Sequence, residues 1–238
     1  MKTRDWDDFF IYQATWGKEA REFVYRHTDI FTAEKVLELG CGTGVITSEI
    51  ASRTKGVVHA IDINPEFLEI SKERVRNENV RFYQMDATQM EFENAYFDVV
   101  YFANFLMWVK NPYRVFSEIV RVLAPSGYLG ILSEPDYGGR IDYPCEAIGR
   151  GVLRKLKDLG ANPYIGRQIR DLCCKHGIRV YLKAIQGMFE VEDIERAWNY
   201  DVVFAELEEN ERECIKNSIN EGSAFLLMPI IYGYGKRV

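Results

Sequence analysis

The sequence predicts an α/β fold in which a mainly parallel sheet carries helices on both faces. Apolar runs of strand length, such as residues 36–39 and 57–61, alternate with segments whose apolar residues recur at helical spacing. A third run, from Phe97 to Trp108, is almost continuously apolar, as is usual for a parallel strand buried on both faces. Strands that alternate with helices in this way favour a doubly wound sheet.

The composition narrows the class of protein. The chain has 238 residues, with 30 Lys and Arg against 36 Asp and Glu, and a formal net charge of −6. This length suits one α/β domain. Since no run of Lys or Arg forms a basic patch, the sequence argues against a nucleic-acid partner. The apolar stretches 97–109 and 224–234 are too short or too broken to span a bilayer, and the N-terminus lacks the apolar core of a signal peptide, so we expect a cytoplasmic protein.

The cysteines predict neither a disulfide framework nor a metal site. They are odd in number and lack C-x-x-C spacing. We therefore expect reduced, buried thiols at all five positions and no bound metal. The five are Cys41, Cys145, Cys173, Cys174 and Cys214.

A glycine-rich loop follows the first strand, with Gly40, Gly42 and Gly44 at every second position. Glycine lacks Cβ, so the backbone turns tightly and a ligand can approach it closely. The helical spacing of Ile46 and Ile50 predicts a helix directly after the loop, a combination typical of nucleotide binding. The dinucleotide pattern G-x-G-x-x-G is absent, because its last position falls on Val45 or Thr47 in the two registers, which disfavours an NAD oxidoreductase.

Two further strands end in a carboxylate. Asp62 lies 22 residues after Gly40, close to the distance at which an acidic side chain binds ribose hydroxyls in such folds. Asn64 and Pro65 then provide an N-cap and a first helical residue. Asp86 closes the next strand in the same way.

With Glu38 at the end of the first strand, the pattern E-x-G-x-G-x-G and the two later strand ends resemble the class I S-adenosylmethionine-dependent methyltransferases, and more narrowly their ubiquinone/menaquinone-methyltransferase branch. The resemblance implies S-adenosyl-L-methionine as cofactor. It also implies a Rossmann-like, doubly wound, seven-stranded sheet with an antiparallel last strand, an N-terminal helical lid and a helical insertion after strand 5. The expected cofactor-binding residues are Glu38, Gly40, Cys41, Gly42, Gly44, Asp62, Ile63, Asp86, Ala87, Phe102 and Asn104.

The same resemblance divides a single domain, residues 1–238, into four parts. These are an N-terminal lid (1–34), a cofactor-binding half (35–136), an insertion that roofs the substrate site (137–177), and C-terminal strands and helices (178–238). In the lid, Trp16 and Tyr25 are expected to close the pocket, although the aromatic residues there could equally cap the edge of the sheet.

Substrate-binding residues are less clearly indicated. Trp108 is expected as a pocket wall or a core aromatic. Arg140 and Arg167 could bind a carboxylate or phosphate, or could pair with local acids. Glu134 and Asp136 follow the fifth strand and are the candidates for substrate contact or for a general base.

The function that these patterns predict is methyl transfer to a small-molecule acceptor. Displacement at a sulfonium mainly requires alignment and exclusion of water, which explains why no catalytic residue is evident. Two alternatives stay open: a methyltransferase that acts on protein or RNA, and a non-catalytic cofactor-binding module of the same fold. The sequence leaves the acceptor, its methylated atom and the oligomeric state undetermined.

Overall fold

The computed structural model describes residues 3–188, 191–204 and 207–237. The helices are α1 (Thr3–Thr15), α2 (Lys18–His27), α3 (Val45–Ala51), α4 (Pro65–Arg74), α5 (Pro112–Val122), α6 (Ala147–Asp158), α7 (Ile169–Lys175), α8 (Val191–Phe204) and α9 (Glu209–Asn220). The strands are β1 (Lys35–Leu39), β2 (Val57–Asp62), β3 (Val80–Gln84), β4 (Phe97–Ala103), β5 (Leu123–Pro135), β6 (Ile141–Tyr143), β7 (Ile178–Met188) and β8 (Phe225–Arg237).

The strands form one sheet in the order β3-β2-β1-β4-β5-β8, with β7 and the short β6 also paired to β8. Strands β1 to β5 are parallel, and β8 runs antiparallel to β5. The predicted doubly wound fold with an antiparallel last strand is therefore confirmed. The strand number differs, because β6 adds an eighth strand within the segment that was predicted to be helical. It pairs with Phe225–Leu227 of β8, which lie before the part of β8 that pairs with β5.

Successive side chains of each strand point to opposite faces of the sheet, so an apolar core forms on each face. On β1, Leu37 packs with Phe102 and Phe116 on one face, whereas Val36 packs with Val24 and Val58 on the other. All of them are fully buried. Because both faces are apolar and covered, ligands have access only at the strand ends, and parallel strands bring their carboxyl ends to the same edge.

An asparagine followed by a proline begins each of the two helices, α4 and α5, that lie near the carboxyl edge of the sheet. The Asn64 side chain accepts a hydrogen bond from the Glu66 backbone N–H, and Pro65 is the first residue of α4. Asn111 and Pro112 do the same for α5, where Asn111 accepts from the Arg114 N–H. These caps fix where the chain leaves β2 and where it turns after β4.

The N-terminal segment divides into two helices with different positions. Helix α1 lies over the carboxyl edge of the sheet, where the Trp6 ring contacts Trp108 and the Phe10 ring contacts Phe67. Helix α2 instead packs on the sheet face against β5 and β8. Tyr25 on α2 is consequently fully buried, with its ring 5.5 Å from that of Tyr101. The expectation that Tyr25 closes a pocket is corrected, because its helix lies on the face of the sheet and not over the edge.

The expectation of five reduced cysteines is also corrected. Cys145 and Cys214 form a disulfide, with 6.1 Å between their Cα atoms, although they are 69 residues apart in the chain. The fold brings the segment before α6 against α9, which local sequence spacing does not reveal. Cys41 and Cys173 are free and buried, while Cys174 is free but exposed.

The described residues contain neither a helix suited to span a membrane nor a cluster suited to hold a metal ion. No helix in them is both long and apolar enough to cross a membrane. Likewise, no group of three or more His, Cys, Asp or Glu side chains among them is arranged to hold a metal ion.

Candidate active site

A cavity of about 770 Å³ opens at the carboxyl ends of β1 to β4, beneath helix α1. This volume lies within the range of pockets that bind small molecules and cofactors. Three of the predicted segments contribute to it, namely the glycine loop after β1, the end of β2 and the end of β3. Of the predicted cofactor-binding residues, the following line it: Glu38, Gly40, Cys41, Gly42, Asp62, Ile63, Asp86, Ala87 and Asn104.

The glycine loop depends on conformations and spaces that only glycine allows. Gly40 has φ of +67°, and a Cβ there would lie 2.3 Å from Cδ2 of Phe105. Gly44 has φ of +82° and precedes α3, where a Cβ would lie 2.9 Å from Cβ of Ser71. Gly44 is not among the described residues that line the cavity, so its effect is to seat α3 against α4.

Asp62 connects the glycine loop to the start of α4. Its Oδ2 accepts from the Gly42 N–H at 2.8 Å, and its Oδ1 accepts from the Asn64 N–H at 2.9 Å. Burial raises the pKa of this carboxyl group, and the backbone hydrogen bonds partly offset that effect. Since a carboxylate has about four acceptor positions, both oxygens keep a lone pair for a ligand.

Asp86 is held in a turn by the residue two positions ahead. Its Oδ1 accepts from both the backbone N–H and the side-chain hydroxyl of Thr88, each at 2.8 Å. Its Oδ2 has no hydrogen-bond partner among the described residues. The side chain is therefore oriented and still has one oxygen available.

Glu38 is the most deeply buried acid on the cavity wall. The residue is only 2% exposed, and burial raises its pKa to about 8. Its Oε2 has no hydrogen-bond partner within the described part of the chain. A buried carboxyl oxygen without a partner is costly, and a polar ligand in the cavity would relieve that cost.

The end of β4 forms the opposite wall of the cavity. Asn104 has φ of +51° and donates its backbone N–H to the Ser133 carbonyl at 2.6 Å. Trp108 lines the cavity as predicted and is 38% exposed. Phe102 does not line it: its side chain is fully buried and packs near Phe105 and Phe116. This expectation is corrected, because the alternation of β4 turns Phe102 into the core.

Glu134, near the end of β5, and Asp136, directly after it, are not among the described residues that line the cavity. Glu134 is fully buried, and its Oε1 accepts from the backbone N–H groups of Phe105 and Leu106 at 2.6 and 3.1 Å. Burial raises its pKa to about 8. Asp136 pairs with Arg167, whose Nε and Nη2 donate to its two oxygens at 2.7 and 2.8 Å. We therefore correct the expectation of direct substrate contact for both acids, since neither is among the described residues that line the cavity, although Oε2 of Glu134 has no hydrogen-bond partner in the described part of the chain.

The remaining predicted substrate residues also lie elsewhere. Arg140 is buried and donates from Nη2 to Asp142 and Asp201, each at 2.7 Å. For Arg140 and Arg167, the alternative of pairing with local acids is thus confirmed and ligand binding is corrected. Trp16 packs edge-on against Tyr12, with ring centroids 5.3 Å apart, and is not among the described lining residues. Trp16 lies in the turn directly after α1, beyond the helical residues that face the cavity.

Sequence reasoning missed the residues that do close the cavity from above. Trp6, Phe10 and Gln13 of α1 line it together with Phe67 of α4. Their spacing of four and then three residues marks one face of a helix, and this was the available signal. The helix is fastened by Arg74, which donates to both oxygens of Asp7 at 2.8 Å and to the Thr43 carbonyl in the glycine loop.

The sheet order, the antiparallel last strand and the acid-lined cavity under a helix define the class I methyltransferase fold. In agreement, residues 37–131 match a family model described as "Methyltransferase domain". The resemblance to class I S-adenosylmethionine-dependent methyltransferases is thereby confirmed.

Individual relatives extend this comparison. The ubiquinone/menaquinone biosynthesis C-methyltransferase UbiE of Idiomarina loihiensis is 34% identical over 149 residues, which cover 57% of this chain and 59% of that protein. The matches span about half to two thirds of the length of the curated relatives, between 43% and 66% for three of them.

Solved structures share the fold at low sequence identity. A putative methyltransferase from Bacillus halodurans superposes with a TM-score of 0.68 at 15% identity, over 91% of this chain and 98% of that one. The geranyl diphosphate C-methyltransferase of Streptomyces coelicolor was solved with Mg²⁺, geranyl diphosphate and S-adenosyl-L-homocysteine. It superposes with a TM-score of 0.62 at 16% identity, over 93% of this chain and 79% of that one.

Proposed function

We propose that this chain is an S-adenosylmethionine-dependent methyltransferase that acts on a small-molecule acceptor. One observation carries the proposal: the glycine loop, Asp62 and Asp86, from three successive strand ends, line one cavity of about 770 Å³. The match to a methyltransferase domain and the relatives named for methyl transfer support it.

The acids of the cavity fit the polar groups of this cofactor. Asp62 accepts hydrogen bonds from the ribose hydroxyls with the lone pairs that Gly42 and Asn64 leave free. Asp86 accepts from the adenine amine with Oδ2, and Ala87 lies beside it. Glu38, Cys41 and the glycines form the floor, and the loop at Asn104 forms the far wall.

The charge of the cavity favours a cationic ligand. Its wall carries the carboxyl groups of Asp62 and Asp86, besides Glu38 with its pKa of about 8, whereas Lys110 is the one Lys or Arg among its described lining residues. S-adenosylmethionine supplies a methyl group on a positively charged sulfonium, which leaves without the help of an acid. The pyrophosphate of a dinucleotide would instead meet negative charge, so this wall disfavours NAD.

The chain contributes alignment and exclusion of water. Phe10 of α1 lies against the glycine loop, with its Cε2 3.3 Å from where a Cβ of Gly42 would stand. Trp6 and Trp108 meet edge to face at 5.6 Å at the mouth of the cavity. Holding the reactants in a dry, fixed geometry is the main requirement of a displacement that involves no covalent intermediate with the protein.

The four parts predicted for the single domain are assigned roles within this proposal. Residues 1–34 provide the lid through α1, 35–136 the cofactor site, 137–177 the roof, and 178–238 the remaining strands and helices. A cytoplasmic location is also part of the proposal and rests on the sequence.

Calorimetric titration with S-adenosylmethionine, S-adenosylhomocysteine and NAD tests the proposal. We expect micromolar binding of the first two ligands and none of NAD. Asp62→Ala should abolish binding because the carboxylate both binds the ligand and holds the glycine loop. Asp171→Ala, at an exposed ion pair on α7, is the matched control and should bind normally. Binding of NAD alone, or tight S-adenosylmethionine binding by Asp62→Ala, would refute the assignment.

A further inference from the structure

The sheet ends in two edge strands of very different length. At one edge β3 has five residues, whereas at the other edge β7 has eleven, Ile178–Met188. Strand β7 pairs with β8 along its whole length and with no other strand within the described residues. Its outer backbone N–H and C=O groups make no backbone hydrogen bond to any other described element. An open edge of this length is a template for pairing with another extended chain.

Side chains on one face of β7 alternate cation, ring and cation. Arg179, Tyr181 and Lys183 are two residues apart along the strand, so they point to the same face, about 6.6–6.8 Å from one to the next. Arg179 and Lys183 are exposed, and Tyr181 is 48% exposed. This face is the one toward α2, because Nζ of Lys183 lies 4.1 Å from the ring centroid of Phe23. The three side chains form a strip that is accessible along the open edge.

The strip is positively charged in a protein whose formal net charge is −6. Neither β7 nor β8 contains an Asp or Glu. On β8, Lys236 lies opposite Arg179, and Tyr234 lies opposite Tyr181. Within the described part of the chain, none of Arg179, Lys183 and Lys236 forms an ion pair with an acid. The local charge therefore attracts a partner with negatively charged side chains.

The same charges decide against a second copy of β7 as the partner. Two copies that paired antiparallel about the centre of the strand would place Lys183 opposite its own copy. Like charges directly opposite each other in a sheet are destabilising, whereas opposite charges stabilise the pair. An acidic strand meets an opposite charge at both Arg179 and Lys183, and its central side chain can pack on the ring of Tyr181.

We propose that β7 is a docking edge for an extended acidic segment of another protein, which joins the sheet as an additional strand. The segment carries Asp or Glu at two positions four residues apart, opposite Arg179 and Lys183. An apolar or aromatic residue lies midway between them, opposite Tyr181. Because this pattern is symmetric about Tyr181, it fits either strand direction. Main-chain hydrogen bonds supply affinity, and the alternate side chains supply specificity.

The probe is a fluorescein-labelled peptide, Thr-Glu-Val-Tyr-Val-Glu-Thr, and its binding to the full chain is measured by fluorescence anisotropy at low ionic strength. Wild type should bind it at least about tenfold more tightly than the same peptide with Lys in place of both Glu. Hydrogen exchange should show slower amide exchange on binding, confined to residues 178–188. A third peptide with Pro in place of both Val keeps the charges but lacks two backbone donors, so it should not bind.

Charge reversal on the strand tests the same contacts from the protein side. The double variant Arg179→Glu/Lys183→Glu should bind the Lys peptide more tightly than the Glu peptide, a reversal that a merely structural role of the two cations does not produce. The single variant Lys183→Gln should lower the wild-type preference at least about threefold, which keeps the test decisive if the double variant does not fold. Lys55→Glu, at an exposed position before β2, is the matched control and should keep the full preference.

Several results would overturn the docking edge. They are equal binding of the Glu and Lys peptides by wild type, undiminished binding of the Pro peptide, or binding of none of the three peptides at millimolar concentration. Protection from exchange outside β7, or a preference that survives charge reversal, would do the same. Tighter binding of a labelled oligouridylate than of the Glu peptide would assign the strip to nucleic acid instead. The proposal does not depend on methyl transfer, because the strip is no part of the cavity wall.

Discussion

The cavity beneath α1 and the junction of lid, roof and α8 beside it form two ends of the site that are built in different ways. At the end formed by β1 to β3, backbone N–H groups next to the strands hold the functional acids, as Gly42 and Asn64 hold Asp62. At the end formed by lid, roof and α8, side chains from distant residues hold one another, as Arg140 holds Asp142 and Asp201. The first end is therefore local in sequence, whereas the second exists only after folding.

This difference has an energetic consequence. Acids held by backbone amides keep their partners when a neighbouring side chain changes. Removal of one member of a buried ion pair lowers the stability of the folded state, because the remaining charge has neither water nor a partner. Substitutions should thus affect mainly ligand affinity at the first end and mainly stability at the second.

The largest effect is expected from Arg140→Leu, which leaves Asp142 and Asp201 buried without a cation. We expect a loss of about 3–5 kcal/mol in the free energy of unfolding, measured with urea. Burial already raises the pKa of Asp201, and removal of the Arg140 cation raises it further in the folded variant. The deficit should therefore be greatest at neutral pH and should shrink as the pH falls and Asp201 takes up a proton.

Arg150→Leu provides the control, because Arg150 forms an exposed pair with Glu146 and is 63% exposed. Its cost should stay within about 0.5 kcal/mol. A cost below about 1 kcal/mol for Arg140→Leu, or one that does not change with pH, would contradict the contrast between the two ends.

Glu134 lies between the two ends, since it holds the wall at Phe105 and Leu106. Its folded pKa of about 8 exceeds the ordinary value of 4.5, so the folded state favours the protonated form. Its contribution to stability is complete below about pH 4.5 and is lost as the pH rises toward 8. One such proton changes stability by up to about 4 kcal/mol between pH 5 and 8.

Glu38 titrates in the same range, with a folded pKa of about 8. Glu134→Gln keeps an oxygen for the two N–H groups but cannot ionise, so we expect it to lose about half of the wild-type decline in stability. The measurement is urea unfolding at a series of pH values. An unchanged pH dependence in the variant would show that Glu134 is already ionised in the folded state.

The first end of the site was predictable because its parts are neighbours in the sequence. Strand, loop and helix start are consecutive there, so Gly40 and Asp62 could be placed from their positions after strands. The prediction for Phe102 was wrong within this region. The strand continues one residue beyond Phe102, and its side chain points into the core and not toward the cavity. The doubly wound fold was predictable on the same grounds, since each parallel strand with its helix is a local unit.

The second end could not be predicted because its partners are distant in sequence. The sequence predicted that Tyr25 and Trp16 close the pocket, but Trp6 and Phe10 line the cavity. Sequence spacing shows which residues share a face of a helix, whereas the packing of that helix determines which face lies over the cavity. The disulfide between Cys145 and Cys214 escaped prediction for the same reason, as did the short strand β6.

At the first end, Gly40→Ala should weaken S-adenosylmethionine binding by at least about tenfold. The positive φ of +67° costs about 1–2 kcal/mol for a residue with a Cβ, and that Cβ would displace the Phe105 ring from the cavity wall. Gly160→Ala is the control, because Gly160 has φ of +81° but nothing within 4 Å of the added Cβ. It should lose similar stability and keep full affinity in calorimetry. Equal affinities for the two variants would show that the contact with Phe105 has no effect on the site.

The smallest effect is expected at the ion pair of Asp7 and Arg74, which joins α1 to the first end. Burial opposes ionisation of Asp7, but the hydrogen bonds from Arg74 lower its pKa overall. Asp7→Asn should weaken S-adenosylmethionine binding about threefold, because α1 then closes less firmly over the glycine loop while α4 and its capping residue stay unchanged. Glu69→Gln removes an exposed pair with Lys72 on α4 and should bind as wild type. If Asp7→Asn also binds as wild type, the aromatic contacts of Trp6 and Phe10 are sufficient to hold the lid.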